Sequence, residues 1–273
     1  MKNRTTWRGS VINMNNAIHH ELTNIENDNK VKILYAVESG SRGWGFASKD
    51  SDYDVRFIYV HPIDWYLNVF QGNDIIEIPV DEVLDINGWD LRKALQLMYK
   101  SNPPLLEWLS SPIIYKEEQR FISDLRSIAE EYFAPVPVIY HYINLAKKSF
   151  QGMEDAEFIK IKKLFYVIRP IVACMWVEAY NCVPPMNLQA MMVKLDINKG
   201  IEKTIEELVI FKADCVEADT IKLPVELIEF LKGKLEYYDS YVKNVDKEKK
   251  RDASALNEFF QKTLRDYCGG INE

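Results

Sequence analysis

Two short runs of β-branched and aromatic residues, 31–37 and Tyr53–Val60, flank a glycine-bearing turn, and this pairing constrains the fold more than any other feature of the chain. Side chains of that kind suit a half-buried pleated surface better than a helix. The first run ends at Gly40-Ser41, and Pro62 closes the second, because proline cannot donate to a sheet ladder. A short helix is expected over 63–70, then two more strands over 74–80 and 83–86 with a turn between them. Upstream, residues 10–27 read as a helix: Ser10 is a suitable N-cap, and Ile18, Leu22 and Ile25 fall at i, i+4 and i+7.

From Asp90 the texture changes. Leu91, Leu95 and Met98 mark a helix with Asp90 as its cap, Asn102-Pro103-Pro104 breaks it, and a second helix carries Leu105, Leu106 and Trp108. After Pro112 the pattern predicts helices over 117–132, 137–152, 156–181, 185–194, 199–211, 223–245 and 250–268. The expected fold class is therefore α+β: a small mixed β-sheet core with flanking helices over 1–115, followed by an all-helical domain over 116–273. The boundary is placed at 112–118.

Composition narrows the function classes. A hydrophobic content of 47% and an aromatic content of 12% belong to a globular protein. The net charge of −7 argues against non-specific binding of nucleic acid, which needs a broad basic surface, though a local basic groove is compatible with it. Cys174, Cys182, Cys215 and Cys268 are scattered, without zinc-ligand spacing. With no apolar leader over 1–16 and no run of 18 apolar residues, the expectation is a cytoplasmic protein with free thiols and no membrane span.

The chemistry is concentrated in residues 40–56. Side chains on a strand alternate faces, so Asp52 and Asp54 project the same way, about 7 Å apart at ~3.3 Å per residue. Tyr53, Val55, Phe57 and Tyr59 take the opposite face and can bury. Two neighbouring carboxylates repel unless a cation lies between them. Hard oxygen ligands without histidine or cysteine suit Mg²⁺ or Mn²⁺. Just upstream, Gly40 lets backbone N–H groups approach a phosphate, and the Ser41 hydroxyl adds a donor. Arg42 sits in the same turn, placed to contact leaving phosphates, and Arg56 shares the face of the two aspartates. A phosphate cradle beside a carboxylate pair is the equipment of phosphoryl or nucleotidyl transfer with two metal ions. Neither a P-loop nor a Rossmann glycine motif is present.

Gly-Ser followed at a short interval by Asp-x-Asp on a strand resembles the signature of the DNA polymerase β-like nucleotidyltransferase superfamily. The longer string from Glu38-Ser39-Gly40-Ser41-Arg42-Gly43-Trp44-Gly45-Phe46 through Asp52-Tyr53-Asp54-Val55-Arg56 is similar to its RNA-ligase-associated branch. Asn87-Gly88-Trp89-Asp90-Leu91-Arg92-Lys93, Ser101-Asn102-Pro103-Pro104-Leu105-Leu106-Glu107-Trp108 and, weakly, the segment 162–170 extend the likeness. The resemblance implies a nucleotidyltransferase core over 1–115, a nucleoside triphosphate such as ATP as substrate, and an RNA end as one acceptor. It also implies a third carboxylate on a neighbouring strand. Asp85, with an apolar residue on each side, is the choice; Glu77 has the same local form and Asp81 is the third candidate.

Lys162, Tyr166 and Arg169 share a helix face at i, i+4 and i+7, placed to close over the nucleotide, with Lys93 doing similar work from the first domain. By composition alone such a face is more often solvated. Trp44, Trp89 and Trp108 read as packing residues, His19, His20, His61 and His141 have no partner spacing, and 247–251 reads as a charged surface run. Two competing readings remain. In one the fold binds nucleotide or RNA without catalysis; in the other it modifies a protein or a small molecule.

Overall fold

The computed structural model describes residues 14–78, 83–153, 156–216, 219–245 and 251–268. Ser10, Asp81 and most of the 247–251 run lie outside the described residues. The first helix, α1 (Met14–Asn29), buries Ala17, Ile18, Leu22 and Ile25 along one stripe. It leads into β1 (Lys32–Glu38), the short α2 (Gly40–Trp44) and β2 (Tyr53–Val60). After α3 (Ile63–Tyr66) come β3 (Ile75–Ile78) and β4 (Leu84–Asp90), and the strand expected to stop at 86 continues four residues further. The Asp90 side chain accepts from Arg92 N–H and starts α4 (Leu91–Tyr99); Asn102 caps α5 (Pro103–Leu109) in the same way.

A fifth strand, β5 (Ile114–Glu117), falls where the sequence predicted the onset of helix, and the expected domain division at residue 115 lies inside it. Ile113, Ile114 and Tyr115 follow Pro112, too short an apolar run for periodicity to distinguish strand from helix. The helices α6 (Gln119–Glu131), α7 (Pro135–Phe150), α8 (Ile161–Tyr180), α9 (Leu188–Met192), α10 (Lys199–Asp214), α11 (Val225–Asn244) and α12 (Ser254–Tyr267) follow. A two-residue ribbon of β6 (Ile159–Lys160) and β7 (Thr220–Ile221) interrupts this otherwise helical part.

The main sheet has the order β3-β4-β2-β1-β5, with β2 and β4 parallel and every other pair antiparallel. Its two faces are covered differently. Val55, Phe57 and Tyr59 of β2 and Ile86 of β4 pack with Ile18, Leu22 and Ile25 of α1 in one apolar cluster. Ile58 and Val60 face the other way, into a larger cluster that continues through α4–α8 to Leu264 of α12. Asp54 and Arg56 stand on that second face, at the end of β2 where the apolar cover stops. All four cysteines are free, and no described helix is long and apolar enough to cross a membrane.

Candidate active site

The end of β1 turns sharply into α2 at Gly40, whose φ of +59° lies in the left-handed region. The turn brings its backbone against Asp54: a Cβ added at position 40 would lie 1.9 Å from Asp54 Oδ2. Ser39 N–H donates to the Asp54 carbonyl at 2.8 Å, and the Asp54 N–H donates to Glu38 Oε1 at 2.9 Å. Glu38 is fully buried, and its other carboxylate oxygen accepts from Tyr115. Burial raises its pKa, opposed by that hydroxyl. Both strand ends are thus fixed by hydrogen bonds on either side of the Asp54 carboxylate.

Parallel pairing of β2 with β4 sets Asp54 opposite Asp85 and Arg56 opposite Asn87. Arg56 bridges the two acids, its Nη2 lying 3.0 Å from Asp54 Oδ1 and 2.6 Å from Asp85 Oδ2. Burial nevertheless raises the Asp54 pKa; Arg56 opposes this, while Asp85 and Asp52 push in the same direction as burial. Of the three candidates for the third acid, Asp85 adjoins Asp54 directly. Glu77 lies one strand further out, in register with Asn87 and accepting from its amide at 3.0 Å. Asp81 is outside the described residues. Among the described residues no three histidine, cysteine or carboxylate groups converge as a ready-made ion cage.

Two cavities flank the Asp54–Arg56–Asp85 bridge. The smaller, about 30 Å³, is lined by Ser41, Asp52 and Asp54 from the sheet side and by Lys162, Tyr166 and Lys212 from α8 and α10. The larger, about 720 Å³, borders Arg56 and Asp85 and is walled by Trp44, Trp89, Trp108, Glu77 and Glu107. The structure therefore gathers Ser41, Asp52, Asp54, Lys162 and Tyr166, which are up to 125 positions apart in the chain, around one point. Lys162 acts electrostatically on Asp54, opposing in small part the rise that burial imposes on its pKa. Tyr166 packs edge-on against Trp44, with centroids 5.4 Å apart.

Arg169, Lys93 and Arg42, expected at the nucleotide, are engaged by other residues of the chain. Arg169 is 2% exposed and ion-paired to Glu107 at 2.7 Å, with its guanidinium over the Trp44 ring. It shares the Trp44 side of α8 with Tyr166 but lines neither cavity, because α8 is buried on nearly every side beyond its first turns. Lys93 pairs with Asp74 at 3.2 Å and lines neither cavity. Arg42 donates to the carbonyls of Ser51 and Asp52 and stacks on Tyr53 at 3.8 Å, holding the loop before β2.

Two residues at the site were not found by sequence reasoning. Lys212 is 1% exposed on α10 and lies 5.6 Å over Phe46. Its signal was present: it extends the apolar stripe Ile201, Ile205, Leu208, where a lysine has no packing reason to be. Glu107 lies in a helix read as apolar, and nothing local distinguishes it from a surface glutamate.

Comparison with known proteins gives the lineage. A protein from Bacillus subtilis (strain 168), named Uncharacterized protein YcgL, is 43% identical over 254 residues, covering 93% of this chain and 97% of that one. A crystal structure of a nucleotidyltransferase-like protein from Exiguobacterium sibiricum 255-15 aligns at a TM-score of 0.32 and 10% identity, over 91% of this chain and 80% of that one, a likeness too weak to transfer anything. The family model described as RlaP, RNA repair pathway DNA polymerase beta family, matches residues 14–262. By that match the chain belongs to the RlaP family of polymerase-β-like nucleotidyltransferases.

Proposed function

We propose that the protein is a divalent-metal-dependent nucleotidyltransferase that takes a nucleoside triphosphate, moves its nucleoside monophosphate to an acceptor hydroxyl and releases pyrophosphate. The observation that carries this reading is the contact of Asp54 with the Gly40 backbone, with Asp52 and Ser41 lining the same cavity. The donor set fits a hard cation. Asp52, Asp54 and Asp85 offer only oxygen; burial first, and then the charges of Asp85 and Asp52, raise the Asp54 pKa, with Arg56 opposing. These three would hold Mg²⁺ or Mn²⁺, which when bound neutralises charge on the phosphates and activates the attacking oxygen.

The chain's own residues do the remaining work. Gly40 and Ser41 receive the triphosphate tail, while Lys162 and Lys212 supply positive charge from the helical side and Tyr166 packs beside it. Arg56 holds Asp54 and Asp85 in register. The acceptor oxygen bonds to the α-phosphorus as the bond from that phosphorus to its bridging oxygen breaks; pyrophosphate leaves with the electron pair, and the hydroxyl proton passes to Asp85. No covalent enzyme intermediate is needed, so positioning and fixed charge provide the acceleration. The cavity at Asp52 and Asp54 has room for about one water, so seating a triphosphate there requires the side chains of Lys162, Tyr166 and Lys212 to shift. The family description names an RNA repair pathway and leaves the acceptor hydroxyl open.

The test is pyrophosphate release with Mg²⁺ and each triphosphate in turn. Asp54→Asn should lower the rate by at least ~100-fold, the scale of losing one preorganised charge at a transition state. The variant should keep its circular dichroism spectrum, since burial already disfavours the ionised form of Asp54. A normal rate for this variant would falsify the assignment.

A further inference from the structure

The cavity of about 720 Å³ beside Asp85 is within the range of pockets that enclose a small organic ligand. Its lining is unlike a nucleic-acid groove. Among the described residues that line it, Glu77, Asp85 and Glu107 outnumber the one side-chain cation, Arg56, which is itself spent on Asp54 and Asp85. Three indoles complete the walls: Trp89 and Trp108 are stacked with centroids 3.8 Å apart, and Trp44 donates its Nε1–H to Glu107 Oε2 at 3.1 Å. This wall is built rather than incidental. Glu107 also accepts from Tyr142 and Arg169 at 2.7 Å each, which fixes its carboxylate, and the same Trp44 ring already carries the Arg169 guanidinium at 4.8 Å.

Acid and indole together are the surroundings that favour a cation. Carboxylates give it countercharge, and indole faces attract it through their quadrupole while excluding water. A polynucleotide brings a phosphate with each residue, and those phosphates would meet Glu77, whose carboxylate accepts from the neutral Asn87 amide. The whole chain, at −7, adds to that repulsion.

We propose that this cavity is the acceptor site and that the acceptor is a compact hydroxylated amine, bound as its ammonium form with a hydroxyl directed at Asp85, rather than an RNA terminus. This rests on the nucleotidyltransferase reading: the amine's hydroxyl oxygen forms the bond to the α-phosphorus, pyrophosphate departs, and the proton goes to Asp85. Glu77 and the indoles set acceptor specificity and take no part in bond making.

The experiment is titration of the full-length protein followed by tryptophan fluorescence, half of the six tryptophans being in this wall. Ethanolamine, glucosamine and a diaminocyclitol are each compared with their N-acetylated forms, which keep every hydroxyl and lose the charge. A 3′-hydroxyl RNA pentamer is the third arm. The amines should quench saturably and bind at least ~10-fold more tightly than their acetylated partners. Glu77→Gln should reduce that preference without changing the acetylated affinities. Equal binding of amine and acetylated forms, no binding by any amine, or saturable binding by the RNA alone overturns the proposal. Binding does not depend on catalysis. Amine preference without pyrophosphate release would therefore sink the enzymatic reading and spare the site, and label transfer to RNA would do the reverse.

Discussion

An alanine at position 40 would place a methyl carbon 1.9 Å from Asp54 Oδ2, inside the carboxylate, at a φ that only glycine adopts without strain. Gly40→Ala should therefore move Asp54 rather than unfold the chain, because the turn lies beyond the end of β1, outside the sheet ladder. The expected result is a fall in pyrophosphate release of at least ~100-fold with little change in the far-ultraviolet spectrum; full activity would show that Asp54 has room to spare. At this scale the sequence was most informative. Gly40, Ser41, Asp52 and Asp54 lie within 15 positions of one another, so their proximity was legible, although Asp52 lies in the loop just before β2 and not on the strand whose alternation was expected to aim it. Arg42 was legible as a member of the turn but not in its role, since its acceptors are backbone carbonyls and carbonyls leave no mark in a sequence.

At the scale of elements, helical periodicity identified a shared face for Lys162, Tyr166 and Arg169 but could not say what covers that face. The first two line a cavity and the third is enclosed by α5 and α7, because burial depends on neighbours from distant parts of the chain. The fifth strand was missed for a related reason: β5 is held by pairing with β1, some eighty positions earlier, and its own four residues are too few to show a period. The junction of β4 and α4 carries a pH dependence. Burial raises the Asp90 pKa from its ordinary 3.8 to about 6, against the pull of the Tyr66 hydroxyl, the Arg92 N–H and the Arg92 charge, with Asp74 adding to the rise. A raised folded pKa means that stability from protonated Asp90 is fully present below about 3.8 and is lost as pH rises through about 6. Asp90→Asn keeps a capping acceptor and cannot ionise. Its melting temperature should match the natural protein's near pH 4 and exceed it progressively through pH 6. An offset that does not vary with pH would rule out the ionisation as its cause.

Across the whole molecule, one apolar cluster runs from Leu34 of the sheet to Cys268 beyond the last helix, so both halves share a core and should melt in a single transition. At its centre the Glu107–Arg169 pair joins α5 to α8, with Tyr142 of α7 and Trp44 of α2 bonded or stacked on it. Arg169→Met would leave Glu107 without countercharge in a dry interior, at a cost of about 3–5 kcal/mol. For a chain of this size that is a fall of roughly 10 °C in melting temperature. Adding Glu107→Gln should recover part of it, and calorimetry of the two variants measures the difference. None of this joint was legible beforehand, because its members come from four helices and touch only when the chain has closed on itself.

Along β2 and β4 the paired rungs pass from Asp54 and Asp85, through Arg56 and Asn87, to Ile58 and Trp89. The wet end and the dry end of one sheet face therefore belong to a single ladder. Sliding either strand by one position would turn its acids inward under α1 and expel Val55 or Ile86 to water, since side chains alternate. Misalignment is penalised first as a buried charge and only afterwards as lost chemistry, so a chain that folds at all has already placed its carboxylates.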